Sequence, residues 1–141
     1  MFNEKINVAK GFQTSVNIAY DLYNDEKVRN FIPTMSSFDV IEDVLLSTTK
    51  SATQRARILI VAYGRGKSHI ILVLMSLLFK KDVTLFDMLL KKMKIHNSML
   101  YEFAVDYIKS DKKLLPIIVS GSSASLTQSF LNALQQALRS E

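Results

Sequence analysis

Gly66-Lys67-Ser68 is the stretch of this chain whose residue types and spacing could do chemistry. A polyphosphate needs several N–H donors at close range and a fixed positive charge. A glycine-rich turn running into a helix supplies both, because its backbone N–H groups converge and the helix N-terminus adds partial positive charge. In the pattern G-x-x-x-x-G-K-[ST] the lysine reaches the β- and γ-phosphates and the hydroxyl ligates Mg²⁺. Gly66, Lys67 and Ser68 match its last three positions, and Gly64 matches a frequent extra glycine. Val61 stands where the first glycine is expected. A β-branched residue is stiff there: it costs little at negative φ and about 1–3 kcal/mol at positive φ.

Such a loop needs a strand before it and a helix after it. The apolar, branched run "RARILIVA" (55–62) predicts a buried strand of the parallel-sheet kind. "KSHIILVLMSLLFKK" (67–81) is apolar almost all round, which predicts a helix buried in the core. Upstream, the pattern predicts a helix near Ser15–Tyr23, a turn near Asp25–Asn30 and a break at Pro33. A helix over Phe38–Ser47 follows, with Ser36 and Asp39 at capping-box spacing. Downstream, helices are predicted over Leu85–Lys94 and Ser98–Lys109, then a second buried strand in "KKLLPIIVS" with Pro116 at an edge or bulge. A last helix carries Leu126, Phe130, Leu134 and Leu138 on one face, opened by Ser125 and Gln128. Strands alternating with helices predict an α/β fold: a parallel sheet with flanking helices, divided into a helical segment 1–49 and a partial core 50–141.

Other chemistries find little. The chain has no cysteine, which excludes disulfides and cysteine metal sites, and His69 and His96 form no metal-ligand spacing. "GSSAS" (121–125) lacks the final glycine of a nucleophile elbow and no acid–histidine set follows it. Residues 1–49 hold four bases against seven acids, whereas residues 50–81 hold seven bases and no acid. The excess positive charge therefore surrounds the loop, where it would draw an anionic ligand. The N-terminus carries early acids and no apolar core of a signal peptide, and the longest apolar run, Ile70 to Phe79, is too short to span a bilayer. A cytoplasmic protein with no membrane partner is expected.

The stretch "RARILIVAYGRGKSHIILVLMSLL" resembles the G-P-Y-G-x-G-K-S-H form of the phosphate loop in large bacterial AAA-like ATPases of phage-defence and DNA-handling operons, including the BREX type. "FIPTMSSFDVIEDVLLS" resembles the segment before their first strand, and "KKLLPIIVSGSSASLTQSFLNALQQAL" their second strand and following helix, so the likeness covers about residues 28–141. The resemblance implies a P-loop NTPase fold that binds ATP and Mg²⁺. It implies that Lys67 contacts the β- and γ-phosphates, that Ser68 ligates Mg²⁺, and that Gly64, Arg65, Gly66 and His69 offer backbone N–H groups. It further implies that Phe31 to Pro33 lie near the adenine. Ala62 and Val61 replace the family's proline and glycine.

Hydrolysis in this class also needs an apolar strand ending in Asp-Glu, for Mg²⁺ and the attacking water. The sequence holds none; Asp106 follows Phe103-Ala104-Val105, but within a helical pattern. The family's sheet also places other strands between its first and second. The expectation is therefore the N-terminal portion of a longer ATPase, cut after its second strand and helix, which binds nucleotide and does not hydrolyse it alone. Its partners would be the remainder of that ATPase or other subunits, and DNA in the parent complex. Two alternatives stand beside it: a non-catalytic assembly module that keeps the loop as a relic, and a nucleic-acid binder that uses the basic 50–81 segment.

Overall fold

The computed structural model describes residues 15–60, 66–119 and 125–139. Two short helices come first, α1 (Ile18–Asp21) and α2 (Asp25–Arg29), each opened by an asparagine. Asn17 Oδ1 accepts from the Ala19 N–H and Asn24 Oδ1 from the Lys27 N–H, filling donors that a helix start leaves open. Helix α3 (Met35–Ser47) starts earlier than its apolar pattern indicates. The cap is Thr34, whose N–H donates to Ser37 Oγ at 2.7 Å, not the Ser36–Asp39 pair.

Helix α4 (Lys67–Phe79) is the centre of the molecule. Leu72, Val73, Ser76 and Leu77 are wholly shielded from solvent, as expected for a helix apolar on all sides. It contacts α1, α2 and α3 and also α6. A 3₁₀ turn (Val83–Phe86) leads into α5 (Asp87–His96), and Asn97 alone separates α5 from α6 (Ser98–Lys109). Asn97 cannot continue the helix at its extended φ of −151°; its side chain instead accepts from the Leu100 N–H and restarts it. Phe38, Ile41 and Leu45 of α3 join α4, Leu89 and Met93 of α5, and Ala104 and Ile108 of α6 in one hydrophobic cluster. Helix α7 (Leu126–Arg139) buries no residue. It lies beside α1 and the 116–118 segment, with a cavity of about 70 Å³ between Ala133, Ala137 and Leu22.

The expected parallel sheet does not form among the described residues. Among the described residues the regular structure is all helical, and neither predicted strand forms. Residues 54–60 have no regular structure; Ile58 and Ile60 are 88% and 89% exposed, and Leu59 alone of the run leans on the core. Residues 112–119 also have no regular structure, though 115–118 are half-buried, and the Leu114 N–H donates to Leu78 O of α4, not to a neighbouring chain segment in a ladder. The physical reason is that branched apolar runs favour a pleated surface, but a strand exists only where a second one supplies its ladder bonds. The fold is therefore a helical assembly around α4. No helix among the described residues is long and apolar enough to cross a membrane.

Candidate phosphate-binding site

Gly66 is the N-cap of α4 and has φ 75° and ψ 17°, the left-handed region. It is the one positive-φ residue among those described. A left-handed residue leading into right-handed helix turns successive N–H groups toward one side, which makes a concavity for an anion. A Cβ at Gly66 would meet nothing within 4 Å, so the position faces open space and glycine is required by its backbone, not by crowding. Gly64 and Arg65, with Val61, Ala62 and Tyr63, lie outside the described residues.

Lys67 is the first residue of α4 and is exposed; Ser68 and His69 are half-buried. The N–H groups of Lys67 and Ser68 have no acceptor within the helix, as in the first turn of any α-helix. The His69 N–H differs. It donates to Gly66 O at 3.0 Å, an acceptor shared with the Ile70 N–H, so it closes the turn. The His69 ring is held by α2 and the segment after it. Its Nε2 lies 2.6 Å from Lys27 O at α2, and Phe31 packs edge-on against it with centroids 5.0 Å apart. Helix α2 and the Phe31 segment are thereby fastened to the first turn of α4. Phe31 and Pro33 are buried, while Ile32 between them is 53% exposed.

The basic segment is less basic in the fold than in the sequence. Arg57 binds Asp43 of α3 through both Nε–Oδ2 and Nη2–Oδ1, the latter at 2.9 Å. That hydrogen bonding holds the Asp43 carboxyl below the usual carboxylate range and raises Arg57. Lys80 Nζ sits 2.5 Å from Asp25 Oδ1. Lys81 donates to Tyr107 O at 3.3 Å and to Lys112 O, and lies over the Tyr107 ring; its desolvation pushes its pKa down. Arg57 thus holds the 54–60 segment onto α3, while Lys80 and Lys81 hold α2 and α6 onto the end of α4. Lys67 has no ion-pair partner among the described residues.

Ser68 would contribute one oxygen to a Mg²⁺ ion. This suits a metal that takes most of its ligands from phosphate oxygens and water. No group of three or more acidic, histidine or cysteine side chains is gathered around a metal-sized space among the described residues. His96, expected between two helices, is the last residue of α5, and its ring stacks on Phe38 at 4.9 Å. The fastening of His69 to Lys27 O has no signal in the sequence, because it joins residues 42 apart and one partner is a backbone carbonyl. No family model, curated protein or solved structure matches the chain.

Proposed function

We propose that the chain binds a nucleoside triphosphate, ATP with Mg²⁺, at the first turn of α4, as the N-terminal portion of a larger ATPase. One observation carries the reading: Gly66 is left-handed at the N-cap of a buried 13-residue helix, followed by Lys67, which has no ion-pair partner among the described residues, and by Ser68. Anion capture at a helix start depends on that turn, the helix and a nearby cation. It does not depend on a sheet. Lys67 would meet the β- and γ-phosphates, Ser68 the Mg²⁺, and the Gly66, Lys67 and Ser68 N–H groups the phosphate oxygens. The loop's resemblance assigns the backbone N–H groups of Gly64 and Arg65 to the same phosphates. The sequence holds no apolar run ending in Asp-Glu, so the proposal stops at binding. The preference for ATP and the place in a defence-type ATPase rest on the loop's resemblance.

Calorimetric titration with Mg²⁺-ATP tests it. Wild type binds and Lys67→Ala does not; absence of binding by wild type ends the proposal. Val61→Gly tightens binding if valine strains the turn. Binding of duplex DNA that falls with salt and survives Lys67→Ala would instead support the nucleic-acid alternative. A second reading, an assembly surface beside the loop, is favoured by the exposure of Ile58 and Ile60. Replacing both by lysine leaves nucleotide binding intact and abolishes any concentration-dependent association seen by sedimentation.

A further inference from the structure

The C-terminal ends of α3 and α6 enclose a cleft of about 290 Å³. Phe103 and Tyr107, one turn apart on α6, form its apolar wall. This volume is at the small end of ligand sites, which run from about 300 Å³ upward, and admits a molecule of amino-acid size.

The polar groups of the cleft divide into two kinds. Thr48, Thr49 and Ser110 each donate their hydroxyl hydrogen to a carbonyl of their own helix end, at 2.7, 2.8 and 2.7 Å. Toward the cleft they can therefore only accept, Ser110 and Thr49 through the one lone pair left beside the Lys112 N–H and the Ser51 hydroxyl, each at 3.3 Å. Helix α3 ends here with no base in its last turn, and the Arg55 guanidinium, 3.5 Å from Thr49 O, is the cation set against its C-terminus. Asp106 also lines the cleft and forms no ion pair among the described residues. The hydroxyl lone pairs that remain and the Asp106 carboxylate together call for a cationic donor. Lys50 and Lys112 line the same cleft, equally without ion pairs among the described residues, and call for an anion.

We propose that this cleft binds a small zwitterion: a free α-amino acid with an apolar side chain. Its ammonium meets Asp106 and the hydroxyl oxygens of Thr48, Thr49 and Ser110. Its carboxylate meets Lys50 and Lys112, and its side chain lies on Phe103 and Tyr107. A simple carboxylate leaves the acceptors unfilled, and a simple amine leaves the lysines unfilled. The site shares no residue with the phosphate turn and stands whether or not that turn binds nucleotide.

The test is a set of NMR titrations of the full chain with L-phenylalanine, 3-phenylpropionate and phenethylamine. L-phenylalanine shifts the Thr48, Thr49 and Ser110 amides, with saturation in the millimolar range or tighter. Each one-charge analogue binds at least about tenfold more weakly. Asp106→Asn weakens L-phenylalanine about tenfold and leaves 3-phenylpropionate unchanged; Lys112→Gln, on the opposite rim, weakens L-phenylalanine and serves if the Asp106 variant does not fold. Lys67→Ala changes nothing here. No shifts with L-phenylalanine, equal binding of 3-phenylpropionate, or indifference to both cleft substitutions overturns the proposal.

Discussion

The two ends of α4 use lysine in opposite ways. At the C-terminal end, Lys80 is bound to Asp25 and Lys81 to the Tyr107 and Lys112 carbonyls. Those cations lie where a helix's partial negative charge favours them, and the chain supplies their partners. At the N-terminal end, Lys67 stands where the helix end is itself partly positive, exposed and without an ion-pair partner among the described residues. An unpaired cation at the positive end of a helix, beside a left-handed glycine, makes structural sense once an anion is added. The same residue type is a fastening at one end and a candidate binding group at the other.

Both ends depend on the middle, so the largest expected effect comes from breaking it. Leu77→Ala, at a site wholly shielded from solvent, should cost about 2–5 kcal/mol in urea unfolding. It should weaken both ends together. Gly66→Ala acts on one end only. With open space around the position the penalty is conformational, about 1–3 kcal/mol, and ATP binding should fall with it. Gly66→Asn should cost less, since asparagine tolerates the left-handed region better. An unchanged urea midpoint for Gly66→Ala would contradict the left-handed turn.

Smaller effects sharpen the contrast. His69→Ala removes the contacts to Lys27 O and Phe31 and should cost about 1 kcal/mol, with faster amide exchange in α2. Ser76 Oγ is buried in α4 with no hydrogen-bond partner among the described residues. Ser76→Ala should therefore leave stability unchanged or raise it by up to about 1 kcal/mol; a loss would reveal a bond made by that hydroxyl. Acid gives the mildest test. Arg57 holds the Asp43 carboxyl down, and at Asp21 the upward push of burial is outweighed by the Lys27 ammonium and the Asn17 N–H. Both carboxyls are lowered on folding, so their stabilisation is present above the unfolded value of about 3.9 and is lost as pH falls through the folded values. Melting temperature should fall over that acid range, and Asp43→Asn should flatten part of the slope.

The helices were largely legible because their signals are local. The all-apolar run after Lys67 is the buried α4, and Ser98–Lys109 is α6 as its pattern indicates. Gly66 was legible as the glycine that opens α4, but its left-handed φ was not, because a helix N-cap is ordinarily extended. The sheet was misread for a definite reason. "RARILIVA" and "KKLLPIIVS" carry the residue types of strands, but strand pairing is made by partners far away in sequence, and the described chain gives residues 54–60 and 112–119 none. The charge count misled in the same way. Arg57 and Lys80 meet acids 14 and 55 residues away, which no local window contains. The cleft between α3 and α6 was invisible for that reason too, because it joins the ends of two helices separated by α4 and α5.

The most direct measurement of the central claim is the backbone amide spectrum of the ¹⁵N-labelled chain during titration with Mg²⁺-ATP. The account predicts saturable shifts centred on Gly66, Lys67 and Ser68, smaller changes at His69 and Phe31, silence at Thr48 and Ser110, and loss of the response in Lys67→Ala with its fold intact. Unmoved amides at Gly66 to Ser68 under saturating Mg²⁺-ATP, or shifts that persist unchanged in Lys67→Ala, would contradict it.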